Sequence, residues 1–494
     1  MTPPWLLALV VAIPTLGAFL LPLLGRASPR ARNLLALLLV LASFAGSLAL
    51  LPAALGGDRV ELRVPLTLGV NLFLRADLLA LSMALVSSLV GSVIVLYSWG
   101  YIDRYAHQDE YYTMVVLFLG SMMGLVFSQN LIFLYLFWEI TSIASWRLIG
   151  FYRDGPVVLR ADKSFLVTVF GALLMLLGFV MLQADTGSFD IPTIQAGLAG
   201  KAVPDLAVAL ILAGIFSKSA TLPLHTWLPD AGVAPSPVTA LLHAAVLVKI
   251  GVYAFARLFV ASFDVSDTWQ VIVPAIAGAS ALLSAGAALL ENDIKRIIAY
   301  STVSQLGFIF LGLAVGSDIG VAGAILYILM HGLAKGGLFL CAGIVEHATH
   351  VKDIRRMGGL ARSMPLTALS FLICAFSVMG IPPFGGFFAK YMVIAGAVES
   401  GQVALGLVFL AGAVLTLLYL LRLFTRVFLG EPSAEASGHA LPREGSRVMV
   451  FSVALLAVFS LAGGLWINLP AALAVRTVSE MRPEMRPEMG GVQR

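Results

Sequence analysis

The sequence predicts an all-α integral membrane protein of about fourteen transmembrane helices, with helices seven and twelve broken and two inverted five-helix repeats. Three observations carry that prediction. Of the 494 residues, 60% are hydrophobic and only 12% charged, and a mean hydropathy of +0.96 is far above that of a soluble domain. Apolar runs of about 20 residues, enough to cross a hydrocarbon layer about 30 Å thick, recur about fourteen times. In the seventh and twelfth runs, a lysine shares the middle of the span with a helix-breaking stretch.

The runs begin near Pro4, Asn33, Ala76, Tyr112, Leu131, Ser164, Leu206, Val238, Gln270, Ile294, Gly320, Leu366, Val403 and Val448. No Lys or Arg precedes the first, and no small-residue cleavage site precedes Arg26, so it is expected to stay as a span rather than be removed as a signal peptide. The longest connections run from Asp185 to Pro204 and from Gly430 to Ser446. Neither separates soluble domains, which predicts one polytopic membrane domain over residues 1–474. Residues 475–494 include the Pro-broken repeat from Met481 to Met489 and are predicted to form a polar, disordered tail.

Charge in the loops predicts orientation. One alternate set of loops collects Arg26, Arg30, Arg104, Arg153, Lys295, Arg296, Lys352, Arg355 and others, whereas the opposite set holds Arg59, Arg63, Arg75 and Lys201, with Arg257 near a helix end. By the positive-inside rule, the rich set faces the cytoplasm of a cell inner membrane and both termini lie outside. A net charge of +4 predicts no nucleic-acid partner. Cys341 and Cys374 each sit within an apolar run and lack metal-ligand spacing, so no disulfide framework, metal site or redox cofactor is predicted.

The broken spans point to function. The seventh carries Lys218 and then Pro223, ending at Thr226 to Asp230, and the twelfth carries Gly380 to Gly386 and then Lys390. Five spans apart, they cross the membrane in opposite directions, as expected for inverted repeats over about 111–263 and 269–428. Glu139 lies in the fifth span, His243 and Lys249 in the eighth, and His331 and Lys335 in the eleventh. Ionisable groups at membrane depth are expensive and mark ion or proton pathways. Desolvation disfavours the charged form of a lysine while a nearby carboxylate favours it, so a Glu139 that approaches and leaves Lys218 would switch that lysine between holding and releasing a proton.

Spacing restricts the relay. His331 and Lys335, four apart, share a helical face. His243 and Lys249, six apart, lie about 120° apart around an ideal helix and face one path only if the cavity is wide or the helix distorted. Any one of these groups would serve as a structural ion pair or interhelical hydrogen bond. Their number at one depth favours a pathway. Arg422 and Arg426 are expected to snorkel from a helix end.

The sequence resembles the antiporter-like membrane subunits shared by respiratory complex I (NADH:quinone oxidoreductase), membrane-bound hydrogenases and Mrp-type sodium/proton antiporters. The resemblance rests on Trp138 to Ser142, Lys218 to Ala231, Ala234 to Val238, Asp293 to Gly307, His331 to Lys335 and Pro382 to Lys390. It implies fourteen helices with inverted five-helix repeats and a transport subunit with no redox cofactor of its own. It also implies a proton relay in which Glu139 and Lys218 are the functional pair, Lys335 with His331 the centre and Lys390 the distal gate, with His243 and Lys249 on motif positions of the eighth helix. The implied partners are other membrane subunits, with protons, and sodium in the Mrp case, as the transported ions. Lys163 to Gly171 and Lys352 to Leu360 look closest to the large Mrp subunit, while Arg147 and Ala172 depart from the family pattern. A second reading makes the chain the proton-conducting partner of a soluble enzyme in an inorganic carbon uptake complex.

Overall fold

The computed structural model describes residues 3–66, 70–431 and 442–482. In chain order its main helices are α1 (Pro4–Ala27), α2 (Pro29–Leu55), α3 (Leu78–Tyr101), α4 (Gln108–Phe127), α5 (Leu131–Ile149), α6 (Gly155–Thr186), α7 (Asp205–Lys218) and α8 (Ser236–Val260). There follow α9 (Asp267–Leu290), α10 (Ile294–Ala314), α11 (Asp318–Thr349), α12 (Pro365–Met379), α13 (Gly385–Glu399), α14 (Val403–Phe428), α15 (Arg447–Leu465) and α16 (Asn468–Met481). Among the described residues, twelve helices are long and apolar enough to cross a membrane. The chain is a multi-pass integral membrane protein.

The two interrupted spans are divided where the sequence indicates. In the seventh, α7 stops at Lys218, Ala220 takes a positive φ of 49°, and a short helix resumes at Trp227–Asp230. The Trp227 indole N–H donates to Ser217 O at 2.9 Å, satisfying a carbonyl freed by the break. In the twelfth, Gly380 ends α12 in the left-handed region, where a residue without Cβ fits best. A Cβ on Gly386 would stand 1.8 Å from Ser377 O, so only glycine lets α13 start this close to the end of α12.

Burial is uneven. Helices α8, α10 and α11 are almost wholly enclosed, whereas α1, α2, α6 and α14 bury only about a third of their residues and turn apolar side chains such as Leu16, Leu166, Phe170 and Leu407 outward. The helices carrying most of the ionisable residues are therefore the innermost ones. One local device occurs twice. Asn130 caps α5 and forms an isolated antiparallel bridge with Asp190, while Asp293 caps α10 and bridges Asp353, sixty residues on in each case.

Three features differ from the sequence expectations. Strands β1 (Val60–Pro65) and β2 (Asn71–Ala76) pair antiparallel, Val60 opposite Ala76, and the alternation of Val60, Leu62 and Val64 with Glu61 and Arg63 is their signal in the sequence. The tail expected from Val475 begins later: α16 runs to Met481, buries Ala474, Thr477 and Val478 as one stripe, and Glu480 accepts from Leu78 N at 2.8 Å. Residues 483–494, with the rest of the Met-Arg-Pro-Glu repeat, lie outside the described residues. Arg422 does not snorkel; it donates to Leu289 O and Glu291 O, both at 2.8 Å, capping the carbonyl end of α9.

Candidate functional site

The four mid-span lysines share one mode of anchoring. Lys218 Nζ donates to Trp138 O at 3.2 Å and Ser142 Oγ at 2.6 Å, Lys249 Nζ to Ile328 O at 2.6 Å, Lys335 Nζ to Ile298 O at 3.1 Å and Ser301 Oγ at 2.5 Å, and Lys390 Nζ to Val378 O at 2.8 Å. All four are buried. Among the described residues, none has a carboxylate within 4.0 Å. Lys390, from α13, places its Nζ against the last turn of α12, at the negative end of that half-helix.

Glu139 is adjacent to Trp138 on α5, the helix that holds Lys218. Glu139 and Lys218 interact through charge without forming an ion pair. The carboxylate is only partly enclosed, on the helix face that exposes Leu136 and Ile143, and its Oε1 has no hydrogen-bond partner. It is the member of the row nearest the surface.

The eighth span is distorted where ideal spacing fails. Leu241–Ala245 is π-helical and Val246 leaves helical geometry at φ −127°, between His243 and Lys249. Both consequently face α11. The His243 ring lies 4.5 Å from that of Phe339, and Lys249 reaches Ile328 O beside Gly332, where an added Cβ would stand 3.0 Å from Lys249 Nζ. Helices α8 and α11 thus run antiparallel with Lys249, His331, Lys335 and His243 along their contact. His331 is within electrostatic reach of Lys249, Lys335, Lys390 and His243. Both ring nitrogens of His243 and of His331 are buried without a protein partner, and such groups call for ordered water.

Lys335 is linked to Lys390 by residues that sequence reasoning did not single out for this role. Ser301 Oγ, held by Lys335, is hydrogen-bonded to Tyr419 OH at 2.6 Å. Gln305 Nε2 donates to Thr416 Oγ1 at 3.0 Å and to Tyr419 OH at 3.4 Å, and Tyr327 OH donates to Gln305 Oε1 at 2.5 Å. The Tyr327 ring lies 5.9 Å from Lys390 Nζ and the Phe308 ring 4.7 Å. Ser301 and Gln305 lie within the Asp293 to Gly307 block, but their partners are on other helices.

Lys218 and Lys249 meet through a narrow joint. A Cβ on Gly251 would lie 2.1 Å from Ser219 Oγ and 2.4 Å from Ile215 O, so this glycine brings α8 against the end of α7 between the two lysines. Ser219 Oγ is buried and unpartnered. At the far end of α8, Arg257 makes a buried two-pronged pair with Asp77, at 2.7 and 2.6 Å, and donates to Tyr253 OH at 3.0 Å. A cavity of about 770 Å³ opens beside it, lined by Phe255, Phe259, Lys201, Trp269 and Arg482 among others. Among the described residues, no group of three or more His, Cys, Asp or Glu side chains is placed to hold a metal ion.

This arrangement of broken spans and buried lysines has relatives. The family profile described as NADH:quinone oxidoreductase/Mrp antiporter, TM, matches residues 128–416. The chain belongs to that family. The Na(+)/H(+) antiporter subunit A1 of Staphylococcus aureus is 35% identical over 494 residues, covering 93% of this chain and 61% of that protein, and the subunit A1 of Staphylococcus haemolyticus is 34% identical over 454 residues, covering 84% and 56%. This family member therefore spans less than two thirds of those curated relatives. A chain in the structure of the Mrp complex from Dietzia sp. DQ12-45-1b is 26% identical and superposes with a TM-score of 0.87, each covered to 98%. The membrane-bound sulfane sulfur reductase, an archaeal respiratory membrane complex, shares the fold at a TM-score of 0.88.

Proposed function

We propose that this family member is a proton-translocating subunit of a multisubunit Mrp-like antiporter, conducting protons along Glu139, Lys218, Lys249, His331, Lys335 and Lys390, with His243 joining the path at Lys335. The observation that carries the reading is the α8–α11 contact. Four ionisable groups on two enclosed helices line one path, with the Lys218 joint at one side and the hydrogen-bonded link to Lys390 at the other. The identity with sodium/proton antiporter subunits favours sodium as the counter-ion and other membrane subunits as partners.

Glu139 and Lys218 act in this reading as the switch and the buried row as the conductor. Movement of the Glu139 charge toward or away from Lys218 changes that lysine's hold on its proton, which then passes by Ser219 and water to Lys249. Two inverted repeats organise the path, a reading supported by the paired caps and bridges at Asn130 with Asp190 and Asp293 with Asp353. The loop charges support a cytoplasmic membrane with both termini outside. The test is Lys218→Ala in inverted vesicles carrying the intact complex. Sodium-dependent proton movement is expected to vanish at equal complex content, and unchanged movement contradicts the proposal.

A further inference from the structure

Beyond His243, the contact between α8 and α11 continues toward the face richest in arginine and lysine, and there it meets a cluster to which the relay gives no role. Glu346 of α11 lies 2.9 Å from Lys295 Nζ through Oε2 and 3.1 Å from Lys352 Nζ through Oε1. Ser236 Oγ donates to Glu346 Oε2 at 3.3 Å, and Tyr101 OH donates to Ser236 Oγ at 3.4 Å. Exposure falls in steps along this cluster: the side chain of Lys352 is 44% exposed, that of Glu346 17% and that of Lys295 2%. One carboxylate thus touches a solvated cation on one side and a buried one on the other.

The helices align this cluster with the relay. Ser236 and His243 are seven residues apart on α8, and Glu346 and Phe339 are seven apart on the antiparallel α11, which separates the two contacts by two turns, or about 10 Å. Gly343 allows the approach, since a Cβ there would lie 2.5 Å from Ser236 Cβ. His243, with both ring nitrogens unpartnered, is within electrostatic reach of Lys295 on this side and Lys335 on the other. The titratable and charged groups around Glu346 are Lys295, Lys352, His347, Tyr97, Tyr101 and Tyr152.

We propose that Glu346 loads protons into the central relay from the Arg/Lys-rich face, with Lys295 as its latch. A hydronium ion gives its proton to the Glu346 carboxylate and leaves as water. The neutral acid releases Lys295 and passes the proton, through the Ser236 hydroxyl and water, to a ring nitrogen of His243. Glu346 regains its charge and its pair with Lys295, and the His243 imidazolium gives the proton to the neutral amine of Lys335. One proton is taken up at the face and one is delivered.

This inference rests on the relay reading, and the experiment separates the two. Proton movement is measured in inverted vesicles of the intact complex bearing Glu346→Gln, Glu346→Asp or Lys335→Ala, each at matched complex content and over a range of pH at the Arg/Lys-rich face. Glu346→Gln is expected to slow transport about tenfold or more and to flatten its dependence on pH at that face, while Glu346→Asp restores most of both. Full transport with an unaltered pH profile in Glu346→Gln overturns the loading role alone if Lys335→Ala is inactive. If Lys335→Ala is also active, the relay itself fails. Should Glu346→Gln not assemble, Ser236→Ala, which keeps the ion pair, decides: a loss of about threefold or more supports the proposal and an unchanged rate overturns it.

Discussion

The region around Glu139 and Lys218 and the region around His331, Lys335 and Lys390 use the same chemistry in opposite settings. In the first, a single partly exposed carboxylate sits on α5 beside outward-facing Leu136 and Ile143, with one lysine behind it. In the second, lysines and histidines are enclosed; the lysines rest on carbonyls and a hydroxyl, the His331 ring nitrogens have no protein partner, and among the described residues no carboxylate pairs with either lysine. The caps Asn130 and Asp293 stand 163 residues apart, and the same offset sets Thr168 and Ala172 of α6 where His331 and Lys335 stand on α11. Under the proposed repeats, the first region thus carries Thr and Ala where the second carries its central His and Lys. A charge that can be moved from outside suits a switch, and a row without fixed counter-charges suits a conductor, because a carboxylate beside each lysine would hold the proton.

Substitutions in each region test that contrast. Glu139→Gln removes the movable charge and keeps the shape, so transport by the intact complex is expected to fall about 100-fold with assembly unchanged. A rate near wild type would assign the switch elsewhere. Gly251→Ala pushes a methyl into Ser219 Oγ and Ile215 O. Because one of these is backbone, the joint between the regions must open, at a cost of about 1 to 3 kcal/mol. Thermal unfolding of the purified complex is expected to shift down together with a loss of transport, and a variant as stable and as active as the parent would show that α7 and α8 need not touch there. Tyr419→Phe deletes one hydroxyl of the link between Lys335 and Lys390, worth about 1 kcal/mol, and a fall of about fivefold in rate is expected. An unchanged rate would mean that protons reach Lys390 by way of His331 and water instead.

The features legible in the sequence were those written into one stretch of chain. Lys218 followed by Pro223, and Gly380 to Gly386 followed by Lys390, stand out because charge and helix breaking interrupt apolar runs, and both breaks lie where that pattern puts them. The register of His331 with Lys335 follows from helical spacing alone. What escaped depends on contacts between helices: Ser142 with Lys218, Ser301 with Lys335 and Tyr419, and Ser236 with Glu346 join residues from 34 to 118 positions apart. Serine and tyrosine are ordinary in membrane helices, so composition does not single these out. Lys295 reads as one more loop charge, although folding buries it against Glu346. The π-helical turn at Leu241–Ala245 contains no proline or glycine to announce it.

In the proposed relay, protons cross through the enclosed α8–α11 contact. Sodium-driven proton movement by the intact complex in inverted vesicles, with Lys335→Ala compared against wild type at equal complex content, tests this most directly. Movement is expected to be lost in the variant while the complex remains assembled. Wild-type movement in Lys335→Ala would contradict it.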